Sequence, residues 1–221
     1  DLFLDSKLKI YEIGLLKFDY KNDNKISNHI YLKKNKKNYI IEGKSFDASK
    51  IINKIMNSDN DKSIFNNLDS KIKLNIKKIY IDDVNYVNNL SGNINYKNNK
   101  IIDLNLESVF ANKKNIKLSI VTNKKNQKIT TLFTGYPKPL IERYKFIKGF
   151  KGGYLDFHSI KKNGISNSLL VIDNFKVREV PVFAKLLSLA SLQGIADLLT
   201  GEGIRFTDFE MKFQTSKELI N

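Results

Sequence analysis

Residues 71 to 77 alternate strictly, as Lys71-Ile72-Lys73-Leu74-Asn75-Ile76-Lys77, with aliphatic side chains on one face and lysine or asparagine on the other. A period of two is the mark of a half-buried strand. After a slip at Lys78 the pattern resumes at Ile79 and Ile81. It recurs where Ile102, Leu104 and Leu106 oppose Asp103, Asn105 and Glu107, and again at Ile116, Leu118 and Ile120. Further strands are predicted at 7–20, 26–32, 39–46, 92–96, 128–134, 153–160 and 168–177, separated by clusters of Asn, Gly and Lys at hairpin spacing.

Helical patterning is rarer. Asp47 can cap a helix over 47–56, whose Ile51, Ile52, Ile55 and Met56 form one stripe. A short helix is predicted over 139–146. The longest runs from Val182 to Leu199, with Pro181 at its start and Gly201 and Gly203 after its end, and only Lys185 and Asp197 carry charge. Beyond it Ile204, Phe206, Phe209, Met211 and Phe213 resume the period of two, with one slip at Thr207-Asp208. At 18 residues the helix sits at the lower limit for crossing a bilayer. Its two charges, serines, Gln193 and Gly194 predict a helix buried against protein instead.

The predicted fold is therefore mainly β, a long antiparallel meander with one long apolar helix and one or two short helices packed on it. A single helix of that length covers only part of the apolar side of about ten strands. Either the sheet folds over on itself, as periodicity alone favours, or its apolar face stays open. Residues 1–221 read as one segment, weakly divisible into 1–70, strands with a short helix, and 71–221, the meander with the helix at 182–199. The chain starts at Asp1 without a signal peptide and reads as a piece of a longer protein.

The formal charge of +15 ordinarily points to an anionic partner. Lys, Asn and Ile dominate the chain, however, and AT-rich codons alone produce much of that excess. The clusters Lys33-Lys34, Lys36-Lys37, Lys113-Lys114, Lys124-Lys125 and Lys161-Lys162 read as solvated hairpin tips. No recognition-helix or RNP-type arrangement accompanies them, so no nucleic-acid partner is expected.

Catalytic chemistry has little to draw on. The absence of cysteine removes disulfides and thiolate metal sites. His29 and His158 both fall in predicted strands. Asp82-Asp83 places its carboxylates on opposite faces of any strand and reads as a turn. The glycine clusters at Gly149-Phe-Lys-Gly-Gly and Gly201-Glu-Gly lack the spacing of a phosphate loop. No enzyme activity, metal or cofactor is expected.

The series FKGGYLDF followed by SLLVIDNFKVREVPVFAKLLSLASLQGIADLLTGEGIRFTDFEMKF resembles the C-terminal region of the AsmA-like proteins of Gram-negative envelopes, particularly their YhdP-type members. Gly152-Gly153, Pro181, Leu186-Leu187, Leu192, Gly201, Gly203, Ile204 and Phe206 match that pattern in order. The segment 39–55, with Gly43-Lys-Ser-Phe-Asp before a helix, is similar to another element of it. Thr134-Gly135-Tyr136-Pro137 departs from the family's usual turn before the Gly-Gly strand.

The resemblance implies a long sheet curled into a trough with a hydrophobic inner face, in a periplasmic protein anchored in the inner membrane. It implies phospholipid as cargo, moved between inner and outer membranes. On that reading Ile72, Leu74, Ile76, Leu104, Leu106, Ile116, Leu118 and Ile120 are the candidates to line a lipid groove. Leu186, Leu187, Leu189, Leu198 and Leu199 are the candidates to cap it. The alternative is a structural envelope protein with a closed, dry β-core and no lipid cargo.

Overall fold

The computed structural model describes residues 2–4, 10–52, 69–97, 100–142, 149–178 and 203–216. The long helix expected at 182–199 lies outside them, and so do Leu186, Leu187, Leu189, Leu198 and Leu199. No helix among the described residues is long and apolar enough to cross a membrane.

The chain is mainly β. A short hairpin, β1 (Leu2–Leu4) with β2 (Ile10–Ile13), precedes one large sheet. That sheet contains β3 (Leu15–Lys21), β4 (Ser27–Asn35), β5 (Asn38–Asp47), β6 (Ser70–Tyr80), β7 (Tyr86–Lys97) and β8 (Lys100–Phe110). It continues through β9 (Asn115–Thr122), β10 (Lys128–Thr134), β11 (Lys151–Lys162), β12 (Ile165–Val177) and β13 (Ile204–Thr215). These eleven strands lie side by side in sequence order, with β3 and β13 at the two edges. The sheet is open: its ends do not pair, so neither the sandwich nor the barrel favoured by periodicity is formed.

One junction departs from the antiparallel meander. Strands β5 and β6 pair in parallel, Tyr39 with Ile72 through Asp47 with Tyr80. Parallel neighbours need a crossover, and residues 48–69 supply it. It opens with α1, described over 49–52, in which Ile52 N–H donates to the Ala48 carbonyl at 2.9 Å. Asp47 caps it as expected, its carboxylate accepting from the Ser49 N–H at 2.9 Å.

Smaller differences have local causes. The strand expected at 7–20 breaks at Gly14, which separates β2 from β3. The helix expected at 139–146 is a single turn, α2 (Lys138–Ile141), closed at Glu142. Most strands run longer than their apolar pattern, because polar residues continue the ladder past the last aliphatic. For the same reason Lys33 and Lys34 lie in β4 and Lys161 and Lys162 in β11, not at hairpin tips. The slips read at Lys78 and at Thr207-Asp208 are real: the ladder passes over Lys77 and over Thr207.

Three apolar clusters form the core, all against the same side of the sheet. Ile13 of the small hairpin packs with Leu32, Tyr39 and Ile72 near the start of β6. Ile76, Ile79, Val87 and Phe110 form a second cluster, with Tyr136 and Ala48 against it. The third gathers Ile141, Phe150, Leu155, Ile172, Phe175 and Val177. In it Phe150 stacks on Phe175 and Phe175 on Phe206, with ring centroids 5.2 and 5.0 Å apart.

Candidate functional site

Side chains of directly paired residues point to the same face, so the registers can be followed across the whole sheet. Starting at the β3 edge, Leu16 pairs with Leu32, Leu32 with Ile41, and Ile41 with Leu74. Leu74 pairs with Gly92, Gly92 with Leu106, and Leu106 with Leu118. Leu118 then meets Leu132, Phe157, Leu170 and finally Met211 at the β13 edge. Every strand contributes one position to this row, and each except Gly92 is a large apolar side chain. At about 4.8 Å per strand the row spans about 48 Å.

All eight predicted groove residues stand on that face. Leu74, Leu106 and Leu118 belong to the row itself. Ile72, Leu104 and Ile120 occupy the next level on one side, where Ile72 and Leu104 are joined through Ile94. On the other side are Ile76 and Ile116. Their burial is unequal. Ile72, Ile76 and Leu104 are core residues, 4, 3 and 8 % exposed. Leu74, Leu106, Ile116, Leu118 and Ile120 are only half-buried.

Cover on the apolar face is uneven. The hairpin β1–β2 lies over the β4–β6 region through Ile13, and the segment from Tyr136 to Ile141 lies over the ends of β8 and β11. Toward the edges the face opens. Phe18 and Tyr20 of β3 are 40 and 49 % exposed, and Phe209 and Met211 of β13 are each 40 % exposed. Large apolar groups are normally withdrawn from a sheet edge.

The opposite face is largely polar. It carries Lys71, Lys73 and Asn75 of β6, Asn93 and Asn95 of β7, and Asp103, Asn105 and Glu107 of β8. Lys117 approaches Glu107 at 3.9 Å. Lys78 lies over the rings of Tyr80 and Tyr86, 4.9 and 3.8 Å from their centroids. On exposed β13, Glu210 holds the Lys212 ammonium at 2.8 Å and raises its pKa through that hydrogen bond and charge. Val121, Ile129 and Ile160 form one short apolar row on this face.

His29 and His158 are strand residues of the polar face. His29 Nδ1 lies 2.8 Å from the Asp19 carboxylate, and His158 borders a shallow depression with Asn167, Leu169, Lys212 and Gln214. Asp82 makes a turn, its carboxylate accepting from the N–H groups of Val84 and Asn85. No group of three metal-ligating side chains occurs among the described residues.

Sequence patterning missed one part of the apolar face. At the level of Ile120 the row continues into Thr130, Ser159 and Ser168. Ser168 Oγ donates to Ser159 Oγ at 2.9 Å. One level further, Thr122, Lys128, Lys161, Ser166 and Thr215 are paired in turn. The signal existed in the alternation Leu155-Phe157-Ser159-Lys161, which an apolar-only pattern cuts short.

No family model matches the chain, and no curated protein or solved structure matches it either.

Proposed function

We propose that this chain is a segment of a periplasmic, bridge-like protein that moves phospholipid between inner and outer membranes along its apolar face. The observation that carries the reading is the lateral apolar row from Leu16 to Met211, to which every strand contributes and which only Gly92 interrupts with a position lacking a side chain, on a sheet that stays open. A route for acyl chains needs continuity above all. Each methylene exposed to water costs about 0.8 kcal/mol, so a gap in apolar surface is a barrier whose height grows with its length.

Supporting features agree with that use. The ladder shifts at β4–β5 and β7–β8, and such irregularities bend a sheet, which suits a trough. Half-burial of Leu106, Leu118 and Ile120 leaves side chains a ligand can touch. The resemblance to AsmA-like envelope proteins points the same way and supplies the periplasmic setting and the membrane partners. Leu186, Leu187, Leu189, Leu198 and Leu199 keep their proposed role as a cap, flanked by two strands that pair where Val177 meets Ile204. Movement along the face requires no catalytic group, and no enzyme activity is proposed.

Native mass spectrometry with lipid extraction tests this, on the protein purified from a bacterial host. Phospholipid should accompany the wild type and be lost from Leu106→Asp and Leu118→Asp variants that retain their β circular dichroism. A stable, lipid-free wild type would sink the reading and favour a structural envelope protein.

A further inference from the structure

Strand β13 closes one end of the sheet, and no strand among the described residues pairs with its outer side. Alternate residues along such an edge aim their N–H and C=O groups away from the sheet, where another strand can take them up. Edges are commonly blunted by charges that repel a second copy of themselves. The charges of β13 are ordered in the opposite sense.

Its middle reads Phe209-Glu210-Met211-Lys212-Phe213. Phe209, Met211 and Phe213 stand on the apolar face, Glu210 and Lys212 on the polar one. Reversed about Met211, the apolar positions repeat and the charges change sign. A second copy can therefore lie antiparallel along β13, related by a two-fold axis normal to the sheet at Met211. Each Phe209 then stands opposite the second copy's Phe213, and each Glu210 opposite the second copy's Lys212. Apolar pairs and unlike charges directly opposed are stabilising contacts of a ladder. Glu210 and Lys212, 2.8 Å apart within one chain, keep that contact and become one side of a square of four alternating charges.

The inner side of β13 does not use these two charges: across the ladder Glu210 is paired with Val171 and Lys212 with Leu169. Their side chains are 52 and 76 % exposed. Strand β3, at the other edge, has a similar order in Lys17-Phe18-Asp19. There, however, β4 engages both charges, Lys17 lying 5.6 Å from the centre of the Tyr31 ring and Asp19 2.8 Å from His29.

We infer that β13 is the interface of a symmetric homodimer, in which two copies of this chain pair edge to edge and their eleven-stranded sheets run on as one. Because the axis is normal to the sheet, both apolar faces lie on the same side, and the row that ends at Met211 meets its own continuation. The contact uses the same edge on both copies, so it closes at a pair. It does not depend on the lipid-transfer reading, and either can fail without the other.

Sedimentation velocity on the full chain tests this over about 1 to 100 μM, the range suited to an interface of one strand edge. Wild-type monomer should pass into dimer. Glu210→Lys and Lys212→Glu each turn both cross-strand pairs into like charges and should weaken the dimer about tenfold or more. Mixed in equal amounts, these two variants should recover wild-type association, because every lysine of one then meets a glutamate of the other. Glu210→Lys/Lys212→Glu in one chain should recover it too, and Lys17→Glu on β3 should leave it unchanged, all with the β circular dichroism of the wild type. A wild type that stays monomeric over the whole range overturns the interface. So does a dimer indifferent to the single reversals, or a mixture that associates no more tightly than its components. A dimer lost on Lys17→Glu places the contact at β3 and overturns it as well.

Discussion

Leu74 and Leu106 face each other across Gly92, each paired with it, so the single position in the long apolar row without a side chain lies between two leucines. A Cβ at residue 92 would stand 2.0 Å from the Asn105 carbonyl oxygen and 2.8 Å from Leu106 Cδ2. The carbonyl is backbone and cannot step aside alone. Gly92→Ala should therefore destabilise by about 2 kcal/mol or more, seen as a lower midpoint in thermal unfolding. An unchanged midpoint would mean that β7 and β8 are not so close.

A carboxylate placed on the apolar face should act differently by position. Ile76 is 3 % exposed within the cluster of Ile79, Val87 and Phe110, so Ile76→Asp buries an unpaired charge and should cost more than about 4 kcal/mol. Leu118 is half-buried and outside the three clusters. Leu118→Asp should keep cooperative unfolding and lose bound phospholipid. Leu74 packs against the buried cluster around Ile72, which makes Leu74→Asp a probe of folding more than of binding. Equal loss of structure in Ile76→Asp and Leu118→Asp would indicate a dry core.

Phe175 holds two stacks at once, with Phe150 on one side and Phe206 on the other. Removing its ring opens a cavity where three chain segments meet. Phe175→Ala should cost about 3–5 kcal/mol, measured as a shift of the urea midpoint. A loss under about 1 kcal/mol would show that the neighbours collapse into the space.

Asn28 is fully buried, and its side chain joins β4 to the end of β5. Its Oδ1 accepts from the Asp47 N–H at 2.8 Å, and its Nδ2 donates to the Ile26 carbonyl at 3.1 Å. Asn28→Ala leaves that N–H without a partner and should cost about 1–3 kcal/mol. Faster amide exchange should follow at Asp47 and Ser49, where α1 starts. Unchanged exchange there would show that the side chain does not hold the junction.

How far the chain was legible depended on what period two can encode. The faces of Ile72, Leu74 and Ile76 were readable, as was the break in alternation beside Lys78 that leaves both Ile76 and Ile79 buried, because each is a property of one strand. Direction is not: alternation is the same whichever way a neighbour runs, so the parallel pairing of Tyr39 with Ile72 left no trace in it. The cue was the capped helix after Asp47, which is what a crossover looks like in sequence. Registers also escape a single-strand pattern. Thr130, Ser159 and Ser168 belong to three strands and become one row only when those strands are aligned. Lys161, read as half of a loop pair, continues the face of Phe157 and Ser159 because the strand outlasts its last aliphatic.

The parallel junction has a consequence for how the chain folds. From β6 onward, and again from β3 to β5, each strand pairs with the one just made, so most ladders close between near neighbours in sequence. Such low-order contacts form quickly. Two ladders must close across long connections, β5 with β6 across residues 48–69 and β12 with β13 across residues 178–203, where loop-closure entropy is lost before any pairing returns it. The meanders β3–β5 and β6–β12 should therefore form first, with β13 added at the edge and the β5–β6 seam along Tyr39–Asp47 closed later. Substitutions along that seam should slow the final step of refolding, and those inside either meander should act earlier.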